Sequence, residues 1–215
     1  MRAGLVAAGT FVVVLVAVKS GLTQSWDRRA ADWFRPHDEW GATQVLLGPV
    51  IDGLEPRRSY VLLGLVAVVL CLRRRSWRPA WYAALVATAS MGATIAVKVL
   101  THRPDPTGDV PSTGGSFPSG HVVALSVCLA FVALMCWRRT RWWHWVIVSI
   151  PPAVMAAALL YSNAHWLTDV LGGALLAVAL ICWAASLPLR TLVTEPRVAG
   201  DEENGRPRSV VAEKP

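Results

Sequence analysis

Apolar residues run along this chain in long unbroken blocks, without the two-residue or three-to-four-residue alternation of a soluble core. Six blocks stand out: residues 3–22, 59–72, 79–97, 122–137, 143–160 and 170–189. A helix needs about 20 apolar residues to cross roughly 30 Å of hydrocarbon, so the second block, the shortest, is the least sharply bounded. The pattern predicts an all-α, polytopic membrane protein, with a six-transmembrane-helix bundle occupying residues 1–190. The first block follows Met1 and Arg2, as a signal peptide would, but no small-x-small cleavage site follows it around residues 19–25. It reads as a retained helix.

Between the first two blocks the pattern changes. Trp26, Ala30, Trp33 and Phe34 recur at roughly helical spacing among Asp27, Arg28, Arg29 and Asp32, which predicts an interfacial amphipathic segment that caps the bundle. After Arg190 the chain turns polar and charged, and residues 191–215 read as a disordered cytoplasmic tail.

Composition agrees with the pattern: 54% of the 215 residues are hydrophobic and eleven are tryptophan. A net charge of +7 would favour nucleic acid if it were gathered into a soluble domain. Instead the cations sit in short loops, at Arg73, Arg74, Arg75 and Arg78, at Arg138, Arg139 and Arg141, and at Arg190. No nucleic-acid partner is expected. By the positive-inside rule these loops and both termini are cytoplasmic, and the loops around residues 98–118 and 162–168 face outward. An integral protein of the plasma membrane follows. Cys71, Cys128, Cys136 and Cys182 lie in or beside apolar blocks, with neither zinc nor disulfide spacing.

Chemistry gathers on the outward side. Lys98 ends the third block, His102 and Arg103 follow it, and Ser119, Gly120 and His121 open the fourth. His165 and Asp169 frame the start of the sixth. Residues four apart share a helix face, so the Asp169 carboxylate can hold one ring N–H of His165 and leave the other nitrogen as a nucleophile. His121 can then protonate a departing oxygen. The unpaired amides at the start of the fourth helix form an anion site, and the glycines of "STGGSFPSGH" allow a close backbone approach. Two histidines, one carboxylate, two cations and a helix N-terminus suit phosphoryl transfer without metal or other cofactor. A transporter is disfavoured, because the polar residues lie at one face of the membrane and not at its midplane.

These residues resemble the type 2 phosphatidic acid phosphatase family of integral-membrane lipid phosphatases, related to vanadium haloperoxidases. Its motifs are a lysine followed six residues later by Arg-Pro, then Pro-Ser-Gly-His, then Ser-Arg-x5-His-x3-Asp. "FPSGH" matches the second in full and "HWLTDVLGG" the latter half of the third. The resemblance implies that His165 forms a phosphohistidine, Asp169 orients it, His121 is the general acid, and Lys98, Ser119 and Gly120 bind phosphate. The motif arginines, however, fall on Asp105 in "KVLTHRPDP" and Leu159 in "AALLYSNAH". Two readings stay open: an active enzyme in which Arg103 and His102 take over phosphate binding, or a weakened or inactive relative that binds lipid phosphate or acts as a scaffold. Neither the particular lipid phosphate nor the oligomeric state is legible.

Overall fold

The structure, a computed structural model, describes residues 2–36, 41–111, 113–137 and 140–187. Arg138, Arg139, Arg190 and the polar tail of residues 191–215 lie outside the described residues. Eight helices and no strand are found among the described ones: α1 (Arg2–Lys19), α2 (Gln24–Phe34), α3 (Ala42–Gly53), α4 (Pro56–Arg74), α5 (Arg78–Thr101), α6 (Gly120–Cys136), α7 (Trp142–Tyr161) and α8 (Leu167–Ala185).

Each of the six apolar blocks carries a helix, but the helices are unequal. Among the described residues α1, α5, α7 and α8 are long and apolar enough to cross a membrane, whereas α6 is apolar but has 17 residues, roughly 26 Å at 1.5 Å per residue. The 19-residue α4 holds Arg57, Arg58, Arg73 and Arg74 at its two ends, so its apolar stretch is shorter than the helix. Of the six expected spans, four are thus long and apolar enough among the described residues, and those of the second and fourth blocks fall short by apolar length.

Proline and the left-handed cap set several ends. Pro56 and Pro79 stand in the first turns of α4 and α5, where an amide would have no intrahelical partner. Arg75 and His102 close the same two helices in left-handed conformation, at φ 49° and 44°.

The bundle is organised around α6, which packs against α4, α5, α7 and α8. Val123, Val127 and Phe131 of α6 are buried on one side and Val122 and Leu125 on another, as befits a helix that is apolar all round. The outer helices instead leave Leu5, Val13, Leu65, Trp81 and Ile147 exposed. That apolar belt suits lipid and not water.

Hydrogen bonds separate the two ends of the bundle. At one end Tyr82 Oη donates to the Ala184 carbonyl and Arg74 to that of Met135. At the other, Lys19 Nζ donates to the Leu100 carbonyl and Gln44 Nε2 to that of Tyr161. This second end collects the termini of α4, α5, α6, α7 and α8, and the sequence-predicted site residues come from those of α5, α6 and α8 and the loops beside them.

The segment expected as one amphipathic helix forms two, α2 and α3. On α2, Trp26 and Trp33 are exposed while Asp27 is 1% exposed. Asp27 thus points into the protein, where the Arg103 guanidinium meets it, while Asp32 stays exposed.

The loop before α6 is wedged in place by Phe117, fully buried and stacked on Phe11 of α1 at 5.8 Å. Consecutive glycines on α8 make this fit possible. A Cβ on Gly172 would lie 2.4 Å from the Phe117 ring, and one on Gly173 would lie 2.9 Å from the Ser119 carbonyl oxygen. Gly173→Ala is expected to lower stability by about 1–3 kcal/mol through overpacking, measured as thermal unfolding in detergent.

Candidate active site

Lys98 lies in the last turn of α5, which runs about one turn past the predicted boundary at 97, and is buried. Its Nζ donates to the carbonyls of Gly115 and Ser116, which leaves one of three ammonium donors for another acceptor. The loop it holds is further tied to α5 and its exit: Ser116 N–H donates to the Arg103 carbonyl at 2.8 Å and Thr101 Oγ1 to that of Phe117 at 3.1 Å. Gly115, at φ 155°, allows this approach, since a Cβ there would sit 2.9 Å from Arg103 N.

Ser119 follows as the N-cap of α6, its amide donating to the Asp169 carbonyl at 2.9 Å. Its side chain makes no cap bond, and Oγ is buried without a hydrogen-bond partner among the described residues. A buried hydroxyl left unsatisfied costs on the order of 1–3 kcal/mol. Such a cost is tolerated where the group serves a ligand.

Asp169, fully buried, caps the start of α8. Oδ2 accepts from Trp166 N–H at 3.1 Å and lies 3.3 Å from His165 Nδ1. An ionised carboxylate only accepts, so this contact places the proton on Nδ1 and the lone pair on Nε2. His121, on the first turn of α6, faces His165 with ring centroids 6.3 Å apart.

Arg103 stands elsewhere than the sequence predicts. One guanidinium nitrogen donates to Asp169 Oδ1 at 2.6 Å and to Thr168 Oγ1 at 2.7 Å, and the other to Asp27 Oδ2 at 2.6 Å. Asp27 in turn accepts from Thr168 N–H at 2.9 Å and from its hydroxyl at 2.8 Å. The planar fork of arginine suits this bridge between two carboxylates, and it also lies 5.4 Å from the Trp166 ring. The guanidinium is thus spent behind Asp169 and does not line the cavity in front of it. His102 also departs from the prediction: it is exposed, it closes α5, and its amide donates to the Lys98 carbonyl at 3.0 Å.

That cavity, about 790 Å³, brings together Lys98, Gly120, His121 and His165 with an apolar wall that includes Tyr60, Val61, Met91 and Ile95. Leu159 lies in its lining, as does Arg57 of α4. Sequence reasoning had no signal for Arg57 or Asp27, since neither belongs to a motif. Among the described residues no group of three His, Cys, Asp or Glu is arranged to hold a metal ion.

Asp105, in the register of a motif arginine, takes no part. Its Oδ1 accepts from the Thr107 amide and hydroxyl at 2.9 and 2.6 Å and from the Asp109 amide at 3.2 Å, organising a surface turn. Asp105→Ala is expected to change phosphate release by less than about twofold, as befits a surface substitution; an initial-rate assay on the variant checks this.

Comparison with known proteins adds three findings. The family model of the PAP2 superfamily matches residues 79–191, just over half of the chain. The fold is similar to a crystal structure of a transmembrane PAP2 type phosphatidylglycerolphosphate phosphatase from Bacillus subtilis, with a TM-score of 0.75 and 17% identity over 86% of this chain and 95% of that one. Among curated protein sequences, none matches significantly.

Proposed function

The chain belongs to the PAP2 superfamily, and from that premise we propose that it is a membrane phosphatase that hydrolyses a lipid phosphate or polyprenyl diphosphate at the outer leaflet, through a phosphohistidine and without metal. The observation that carries this reading is the pairing of His165 with a buried Asp169, opposite His121, in a cavity with one apolar wall.

In this reading α1, α4, α5, α6, α7 and α8 cross the membrane, with the arginine-rich ends of α4 and α5 in the cytoplasm. The headgroup sits at the opposite end, bound by Lys98, Ser119 Oγ and the Gly120 amide, and the tail runs along Tyr60, Val61, Met91 and Ile95. His165 Nε2 attacks phosphorus as the bond from phosphorus to the lipid oxygen breaks, and His121, charged by a proton taken up with the phosphate dianion, gives that proton to the departing oxygen. A water then attacks the phosphohistidine, losing a proton to His121, and the N–P bond breaks to release inorganic phosphate. Asp169 stabilises the His165 ring throughout by accepting from Nδ1–H.

A second reading, a lipid-phosphate binding protein of little activity, is favoured by one observation: the positions of both motif arginines are lost to phosphate, Asp105 to a surface turn and Leu159 to the apolar wall. Phosphate release from the detergent-solubilised chain, given a short-chain phosphatidate and a prenyl diphosphate, separates the two. Release is expected from at least one substrate and is expected to persist in excess chelator. No release from either, with His165→Ala indistinguishable from wild type, would sink the enzyme reading; release lost to the chelator would sink the metal-free step alone.

A further inference from the structure

A phosphatase site without its motif arginines needs a cation for the charge that develops on phosphate. Asp105 and Leu159 cannot supply it, and Arg103 is held by two carboxylates. Arg57 lines the same cavity as Lys98, His121 and His165. It comes from the first turn of α4, and its side chain is 83% exposed. Nε and Nη2 both donate to Glu55 Oε1, at 3.1 and 2.9 Å.

Glu55 is the N-cap residue of α4, yet its side chain makes no cap bond. Ser59 N–H and Oγ both donate to its backbone carbonyl. The carboxylate is therefore dispensable to the helix and occupied with Arg57, and with Arg58 at 3.6 Å. The Arg57 hydrogen bond holds the Glu55 carboxyl below its ordinary range, with a smaller contribution from His121. Glu55 thus keeps its charge near neutral pH, within electrostatic reach of the site.

An exposed pair of this kind is weak and readily exchanged, and a phosphate dianion accepts both arms of a guanidinium more strongly than a single carboxylate oxygen does. We infer that Arg57 is a substrate-binding residue, parked on Glu55 and transferred to the phosphate of the bound lipid, where it supplies the guanidinium that neither motif position offers. This rests on the lipid-phosphate reading of the cavity. Arg58 does not line the cavity and stays with Glu55.

The test reads binding and not turnover, using the full chain in detergent with His165→Ala throughout and dioctanoyl phosphatidate as probe. Arg57→Ala is expected to weaken binding by about tenfold, the loss of a charge-assisted contact. Glu55→Gln is expected to tighten it by about two- to fivefold, the release of an exposed ion pair. In the Arg57→Ala background, Glu55→Gln is expected to change nothing. An Arg57→Ala effect within twofold would overturn the inference, and so would a Glu55→Gln gain that persists undiminished without Arg57, since removal of a negative charge alone would then explain it. Neutral dioctanoylglycerol, which lacks the phosphate, is expected to ignore both substitutions; equal loss with this lipid would also overturn the inference. Inorganic phosphate is expected to follow the same cycle more weakly than the lipid. Equal affinity for the two would leave Arg57 in its role and overturn the lipid reading instead.

Discussion

His165→Ala is expected to lower phosphate release by about 10³-fold or more, as removal of a covalent nucleophile does. Binding of the lipid phosphate is expected to change much less. The expectation follows from how much of the surrounding structure is committed to this ring. Asp169 is fully buried, its Oδ2 lies 3.3 Å from Nδ1, and its Oδ1 is fixed by a guanidinium at 2.6 Å. The carboxylate cannot turn away from the imidazole without breaking a buried ion pair. A rapid-quench experiment with labelled substrate checks the chemistry directly: acid-labile, base-stable phosphate should appear on the wild type and be absent from His165→Ala. Equal turnover by the two proteins would remove the phosphohistidine from consideration.

Arg103→Ala carries the second large effect, on both stability and turnover. Removing this cation leaves Asp27 and Asp169, 1% and 0% exposed, with no partner between them of opposite charge. Breaking a buried ion pair from one side costs about 3–5 kcal/mol. The structural role also predicts a kinetic signature. If Arg103 held the substrate phosphate, its loss would raise KM; because it holds Asp169, its loss should lower kcat by at least about tenfold, with KM nearly unchanged. Arg103→Lys is expected to rescue poorly, since an ammonium cannot reproduce the fork that meets both carboxylates. Thermal unfolding in detergent and a kcat and KM determination on the two variants check this. A rise in KM alone would return Arg103 to the phosphate.

The helical framework was legible because membrane helices announce themselves by length and apolarity, which are local properties. The least legible stretch was residues 20–58, where Asp27 looks like one more polar residue among arginines. Its meaning depends on Arg103 and Thr168, 76 and 141 positions further along. No local pattern carries such a relation. The proposed catalytic trio of His121, His165 and Asp169 could be named from spacing because a helix N-terminus and a four-residue step are also local. Arg103 was assigned to phosphate from its place beside Lys98. The chain turns sharply through the left-handed His102 at that point, and this turn sends the guanidinium behind Asp169.

Asp27 also bears on where the working unit of this protein begins. The stretch matched to the superfamily, residues 79–191, contains every motif residue, yet expressed alone it would bury Arg103 against one carboxylate instead of two. It would also strip the Phe11 ring from Phe117. A chimera that joins this stretch to the front half of a relative would therefore inherit the motifs and lose their alignment, unless the donor brings an acid to the position of Asp27. The ancestry of the site is written in the second half of the chain, and its rigidity depends on the first.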